Sequence, residues 1–146
     1  MEIRILHEGD EPVLDRVADD VFDNPIDARA AREFLRDPRH RLAVATDDGV
    51  VVGFVSAVVY VHPDKPAPEL WINEVGVAPS HQGRGIARRL LASTLEDARA
   101  SGCREAWVLT DRVNQAAMRL YEAGGGQASE GHVMFTFRLD GLREEL

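Results

Sequence analysis

Between residues 70 and 100 an apolar run, Leu70-Trp71-Ile72 onward to Val75-Gly76-Val77-Ala78, enters the short segment His81-Gln82-Gly83-Arg84-Gly85 and continues as a long amphipathic stretch to about Ala100. A strand that becomes a helix through so tight a turn constrains the chain more than any other feature it has. The first turn of a helix has backbone N–H groups without intrahelical partners, and the helix dipole places partial positive charge behind them. Gly83 and Gly85 remove the Cβ atoms that would keep a bulky anion away from those groups. The turn lacks the lysine of a triphosphate-binding loop, and its two glycines are too few for the dinucleotide fingerprint.

The rest of the chain is arranged around that unit. Ile3 to Leu6 reads as a first strand. Asp10 is placed to cap a helix whose apolar positions are Val13, Leu14, Val17, Ala18 and Val21, ended by Asn24-Pro25. Ala30, Ala31, Phe34 and Leu35 indicate a second short helix that stops near Asp37-Pro38. Arg41 to Thr46 and Val50 to Val61 flank Asp47-Asp48-Gly49, a hairpin signal, and the proline-rich 62–68 is a loop. Leu70 to Ala78 is the next strand. Gly102 stops the long helix, Ala106 to Thr110 is a further strand, and Asn114 to Ala123 is a helix ended by Gly124 to Gly126. Val133 to Leu139 alternates and is expected to close the sheet as its last strand. The pattern predicts an α/β fold, a mixed sheet with helices on its faces.

A chain of 146 residues fits one domain over 1–146, and it can bury roughly two-thirds of its unfolded surface without a metal or disulfide staple. The lone Cys103 cannot form an internal disulfide, which suits a reducing, cytoplasmic compartment. No apolar run approaches the ~20 residues of a membrane-spanning helix, and the N-terminus lacks the apolar stretch of a secretory signal. The net charge of −8 argues against nucleic acid or an anionic membrane as partner and suits a cationic ligand. His7, His40, His62, His81 and His132 show no metal-ligand spacing, so no metal is expected.

Gln82-Gly83-Arg84-Gly85-Ile86-Ala87 resembles the Gln/Arg-x-x-Gly-x-Gly/Ala signature of the GNAT acetyltransferase superfamily. Asn114-Gln115-Ala116-Ala117-Met118-Arg119-Leu120-Tyr121-Glu122-Ala123-Gly124 resembles the family's Asn-x-x-Ala-x-x-Leu-Tyr-x-x-x-Gly helix. The two motifs stand in the family's order and at its separation, and the element pattern covers essentially the whole chain. The resemblance implies a mostly antiparallel mixed sheet, splayed at an acetyl-CoA site, in an N-acetyltransferase. It implies that the turn amides hold the pyrophosphate, that Val75, Gly76 and Val77 bind the acetyl carbonyl and pantetheine arm through their backbone, and that Asn114 and Ala117 border the cofactor. Within the superfamily the chain looks most like the aminoglycoside 3-N-acetyltransferases, in Glu69 to Val77, Asp111 and Val133-Met134-Phe135. That likeness implies a small cationic amine as acceptor, with antibiotic resistance as the role, and a homodimer.

An amine attacks a thioester only through a free lone pair, so a bound ammonium must first lose a proton. Glu74, between Ile72 and Gly76 in an apolar strand, is the expected base or substrate anchor, its carboxyl desolvated toward neutrality; the alternative is a glutamate at a strand irregularity that points to solvent. The resemblance gives Tyr121, on the same helix face as Asn114, the role of protonating the departing thiolate; by itself a tyrosine there would be core packing. Asp111 follows a strand's carboxyl end, where it can bind a second ammonium, help remove the proton, or cap the next helix. Asn114 is equally a helix cap. Asp19, Asp20, Asp23 and Asp27 form either one wall of an acceptor site or a solvated helix end. Glu130 and His132 are candidates for the opposite wall, and His81 for the phosphate region, though both histidines suit a surface equally. Cys103 is expected to be a buried small hydrophobe. Two alternatives remain: an enzyme acting on a protein N-terminus, a lysine or another metabolite amine, and an acyl-CoA sensor that transfers nothing.

Overall fold

The computed structural model describes residues 1–141. Its centre is a five-stranded sheet in sequential order, β1 (Glu2–Ile5), β2 (His40–Asp47), β3 (Val50–Tyr60), β4 (Glu69–Val77) and β5 (Glu105–Val108). The first four strands pair antiparallel, and β5 joins β4 in parallel. The β2–β3 hairpin turns at Asp48-Gly49, both in the left-handed region, as the sequence signal requires. Three helices complete the layers: α1 (Ala28–Arg36), α2 (Ile86–Ala100) and α3 (Gln115–Ala123).

Pairing assigns the faces, because directly opposite residues project to the same side. A Cβ on Gly53 would meet Leu90 and Ile86, so α2 covers the side that also carries Ala45, Val55, Ala57, Ile72 and Val77. All of these are buried except Val77. Gly124 abuts Leu91, which sets the end of α3 on the α2 side. Leu42, Val44, Phe54 and Ser56 project to the other side, toward α1 and the segment that precedes it. Arg41 fastens β2 to the end of α2, donating to Asp97 at 2.6 Å and to Ser101 Oγ at 3.0 Å.

Two expected elements differ. The helix over 10–21 is only a 3-10 turn at Glu11–Asp15, with Pro12 inside its first turn. Asp10 does not cap it: its carboxylate accepts from the His7 N–H at 2.7 Å and lies near Arg4. The backbone beyond is spent on β3 instead, since Val51 donates to Arg16 and accepts from Ala18, both at 2.9 Å. Leu14 and Val21 are buried all the same, so the apolar spacing reports packing by a wrapped chain rather than by a helix. The second correction concerns Val133 to Leu139, which joins no ladder and lies exposed. Alternation describes a strand's faces and says nothing about its partner.

Candidate active site

Strands β4 and β5 pair only as far as Ile72 and Val108, while β4 runs on to Val77. Beyond that point the edge of β4 lies open, which is the expected splay. The gap opens into a cavity of about 1160 Å³ between the end of β4, the start of α2 and the face of α3. Its walls include Glu74, Val75, Gly76, Val77, Gln82, Gly83, Gly85, Ile86, Ala87, Asp111, Asn114, Ala117 and Tyr121.

The α2 end of the cavity is made of backbone. Gly83 and Gly85 have φ of +78° and +76°, and nothing stands within 4 Å of where their Cβ atoms would be. The left-handed conformation calls for glycine at both positions, and the open space beside them leaves room for a ligand. Gly85 is the N-cap of α2 and no side chain caps it, so the first-turn amides face the cavity without a competitor. Gln82 braces the turn by donating from Nε2 to the Val77 carbonyl at 3.1 Å. His81 is largely buried, with Nε2 2.8 Å from Asp47 and Nδ1 2.8 Å from Ser80 Oγ. The bond to His81 holds the Asp47 carboxyl below its ordinary value. His81 therefore ties the turn to the β2–β3 hairpin. Arg84 is outside the walls, whereas Arg88 and Arg119, which the sequence did not single out, are within them.

On the α3 side, Asn114 caps the helix, its Oδ1 accepting from the Ala117 N–H at 3.1 Å. Asp111 is not the side-chain cap; only its carbonyl joins the turn, accepting from Asn114 at 2.9 Å. Its carboxylate is left for the cavity. Tyr121 is half-buried, and burial pushes its hydroxyl above the ordinary phenol value, so the O–H keeps its proton.

Glu74 owes its position to an irregularity in pairing. Ser56 opposes Glu74 but its neighbour Ala57 opposes Ile72, so Asn73 is an extra residue on β4. Such a bulge re-aims the side chains beyond it. Without it Glu74 would project toward α2; with it, Glu74 shares the other face with Trp71 and Ser56. There it enters a second hollow of about 340 Å³, walled by Phe22, Asp23, Ile26, Asp27, Phe34, Leu42, Phe54 and Ser56. Asp23, Phe54 and Glu74 belong to both cavities. Glu74 is exposed rather than desolvated as expected, because the strand edge beside it has no neighbour.

Gly76 closes the contact between the two halves. A Cβ there would lie 2.4 Å from the Val21 carbonyl and 2.7 Å from the Phe54 ring. Phe54 in turn stacks on Phe22 with centroids 4.0 Å apart. Of the acidic group, Asp23 reaches both cavities, while Asp27 caps α1 by accepting from Ala30 at 2.8 Å and also borders the smaller hollow. Glu130 and His132 do not reach either wall: Glu130 pairs with Arg112, and His132 lies 3.0 Å from Ser129 Oγ. They lead into a segment that is not laid on the sheet. Cys103 is half-buried against the core, with its thiol pushed up by burial, and stands apart from the cavity. Among the described residues no cluster of three or more His, Cys, Asp or Glu side chains could hold a metal, and no helix is long and apolar enough to cross a membrane.

The geometry agrees with what the chain is similar to. Residues 6–125 match the model of the acetyltransferase (GNAT) family. The aminoglycoside N(6')-acetyltransferase type 1 of Salmonella typhimurium is 28% identical over 120 residues, covering 79% of this chain and 83% of that protein. The N-alpha-acetyltransferase RimI of Mycobacterium tuberculosis is 36% identical over 107 residues, 73% of this chain and 65% of that one. Among solved structures, an aminoglycoside acetyltransferase from an uncultured soil metagenomic sample, in complex with sisomicin, superposes with a TM-score of 0.82 at 23% identity, covering 94% of this chain and 95% of that one. With the GNAT fold, the splayed strand and the amide turn in place, the chain belongs to the GNAT family and is an acetyl-CoA-dependent N-acetyltransferase.

Proposed function

We propose that the acceptor is an aminoglycoside-type polycationic amine, and that the product is the acetylated antibiotic. The observation that carries this reading is the sharing of Glu74 and Asp23 between the large groove and the smaller hollow. A carboxylate at that junction can take the proton of an ammonium in the hollow while the amine faces the groove. Asp23 and Asp111 would hold further ammonium groups, and a net charge of −8 enriches cations near the site. The amides of Gly83, Gly85, Ile86 and Ala87 would bind the pyrophosphate of acetyl-CoA. The open edge of β4 at Val75 to Val77 would bind its pantetheine arm and thioester carbonyl. Acetyl-CoA supplies an acyl group on a thiolate leaving group. Glu74 takes the ammonium proton, the C–N bond forms as the C–S bond breaks, the Tyr121 hydroxyl protonates the departing sulfur, and the second proton of the attacking nitrogen passes to the Tyr121 phenolate as the amide forms. No covalent enzyme intermediate is needed.

The sequence resemblance pointed to 3-N enzymes, whereas the aminoglycoside relative with a named position is an N(6') enzyme. We therefore propose the 6' amine as the acetylated group. A cytoplasmic location, where Cys103 stays reduced, belongs to the same reading. The likeness to RimI favours a second one, transfer to a peptide α-amine. A thiol-release assay across aminoglycosides, polyamines, amino acids and peptides separates the two. Turnover of sisomicin-type amines, with the product's acetyl group on the 6' nitrogen by NMR, is the expected result. Turnover confined to peptides would overturn the antibiotic reading.

A further inference from the structure

The face of the sheet that carries Glu74 and Ser56 continues past them. In the next row Val58, Trp71 and Trp107 stand opposite one another on β3, β4 and β5, and in the row after it Tyr60, Glu69 and Glu105 do the same. Pairing puts all six on the Glu74 side. Cover runs out along the first of these rows. Phe34 of α1 stacks on His40, opposite Val58, with centroids 4.6 Å apart. Trp71 and Trp107, the two tryptophans of the chain, are instead 39% and 38% exposed.

These exposed rings are held in place. The two indoles stack with centroids 5.1 Å apart and planes 8° from parallel. Trp107 Nε1 donates to the Tyr60 hydroxyl at 2.6 Å, Tyr60 meets the His62 ring edge-on at 5.1 Å, and His62 is bonded to Glu69. With the Trp107 N–H spent on Tyr60, that residue offers solvent its ring. A fixed aromatic surface costs a ligand little ordering, and its π faces attract cations and the C–H faces of sugars. Carboxylates border it on both sides, Glu74 at one end and the exposed Glu105 beside Glu69 at the other, with Lys65 offsetting part of that charge. We propose that Trp71 and Trp107 form a shelf that binds a second ring of the acceptor, an amino sugar or aminocyclitol, its C–H face on the indoles and an ammonium toward Glu105. The inference rests on the polycationic-amine reading of the acceptor and names the residues that select for its length. At about 3.3 Å per residue the shelf begins roughly 7–10 Å along the strands from Glu74. A single ring whose amine is at Glu74 ends short of it, and a multi-ring acceptor lies across it.

The test compares sisomicin with 6-amino-6-deoxyglucose, which carries the reacting group on one ring, using the full chain. Trp71→Ala and Trp107→Ala should each lower the ratio of kcat/KM for sisomicin to that for the monosaccharide by roughly 3–10-fold, and Trp71→Phe should keep most of it. A second measurement needs no variant to fold. Because both tryptophans lie in the shelf, acrylamide quenching of the wild type's indole emission reads its cover. Sisomicin should protect the indoles, and the monosaccharide or CoA should protect them less. A ratio unaltered in both alanine variants, or quenching untouched by sisomicin, would overturn the shelf while sisomicin turnover stands. Indoles shielded before any ligand is added, as under a second copy, or shielded by basic peptides and not by sisomicin, would do the same. No turnover of sisomicin would overturn the acceptor reading, and the shelf's role with it.

Discussion

The two hollows that meet at Glu74 are built in opposite ways. The end of the groove at the start of α2 offers backbone, the amides of a contiguous glycine turn and the open edge of one strand. The smaller hollow is made of side chains, with Phe22, Asp23, Phe34, Leu42 and Ser56 brought from separate segments. Backbone amides recognise a diphosphate regardless of neighbouring side chains, so the first site can stay constant while the second changes its walls. One fold can therefore keep its acyl donor and exchange its acceptor.

The largest expected break between the two is at the residue they share. Glu74→Gln should lower kcat by about 10²–10⁴, the range of a lost general base, while calorimetry finds the CoA affinity unchanged. Gly85→Ala should act on the backbone side alone. An alanine forced to φ +76° costs about 1–2 kcal/mol, which predicts a roughly 5–30-fold rise in CoA Kd with acceptor KM little changed. Asp23→Asn should do the converse on the side-chain half. Loss of one partly exposed ion pair predicts a rise in acceptor KM of about 2–5-fold, read from initial rates at saturating acetyl-CoA.

The smallest effect concerns the brace between the turn and the hairpin. Because His81 holds the Asp47 carboxyl below its ordinary value, the bond's contribution is present above the ordinary carboxylate range. It is lost as pH falls through the lowered folded value. Asp47→Asn should therefore show a smaller fall in urea midpoint between pH 6 and pH 3 than the wild type. An equal fall in both proteins would remove His81 and Asp47 from the support of the turn.

That division also decides what could be read in the sequence. The groove was legible because its parts are consecutive: an apolar strand, two glycines, a helix, and later Asn114 and Tyr121 on one helix face. The hollow was not, since Phe22, Phe34, Leu42 and Ser56 become neighbours only through pairing across three strands and a wrapped segment. Glu74 stood out by its chemistry, but its orientation depends on Asn73 as an unpaired extra residue, a property of register that no local pattern carries. The positions 13, 14, 17, 18 and 21 have helical spacing, but the Arg16 carbonyl accepts from Val51 and the Ala18 N–H donates to Val51, which spends that backbone on β3 instead of a helix. Val133 to Leu139 was readable as a strand and not as one without a place in its own sheet.

A crystal structure with CoA and sisomicin bound together tests the central claim most directly. The account predicts a Glu74 carboxylate oxygen about 3 Å from the reacting amine, directly or through one water, with the diphosphate on the amides of Gly83 to Ala87. An amine seated out of reach of Glu74, with another group as its proton acceptor, would contradict it.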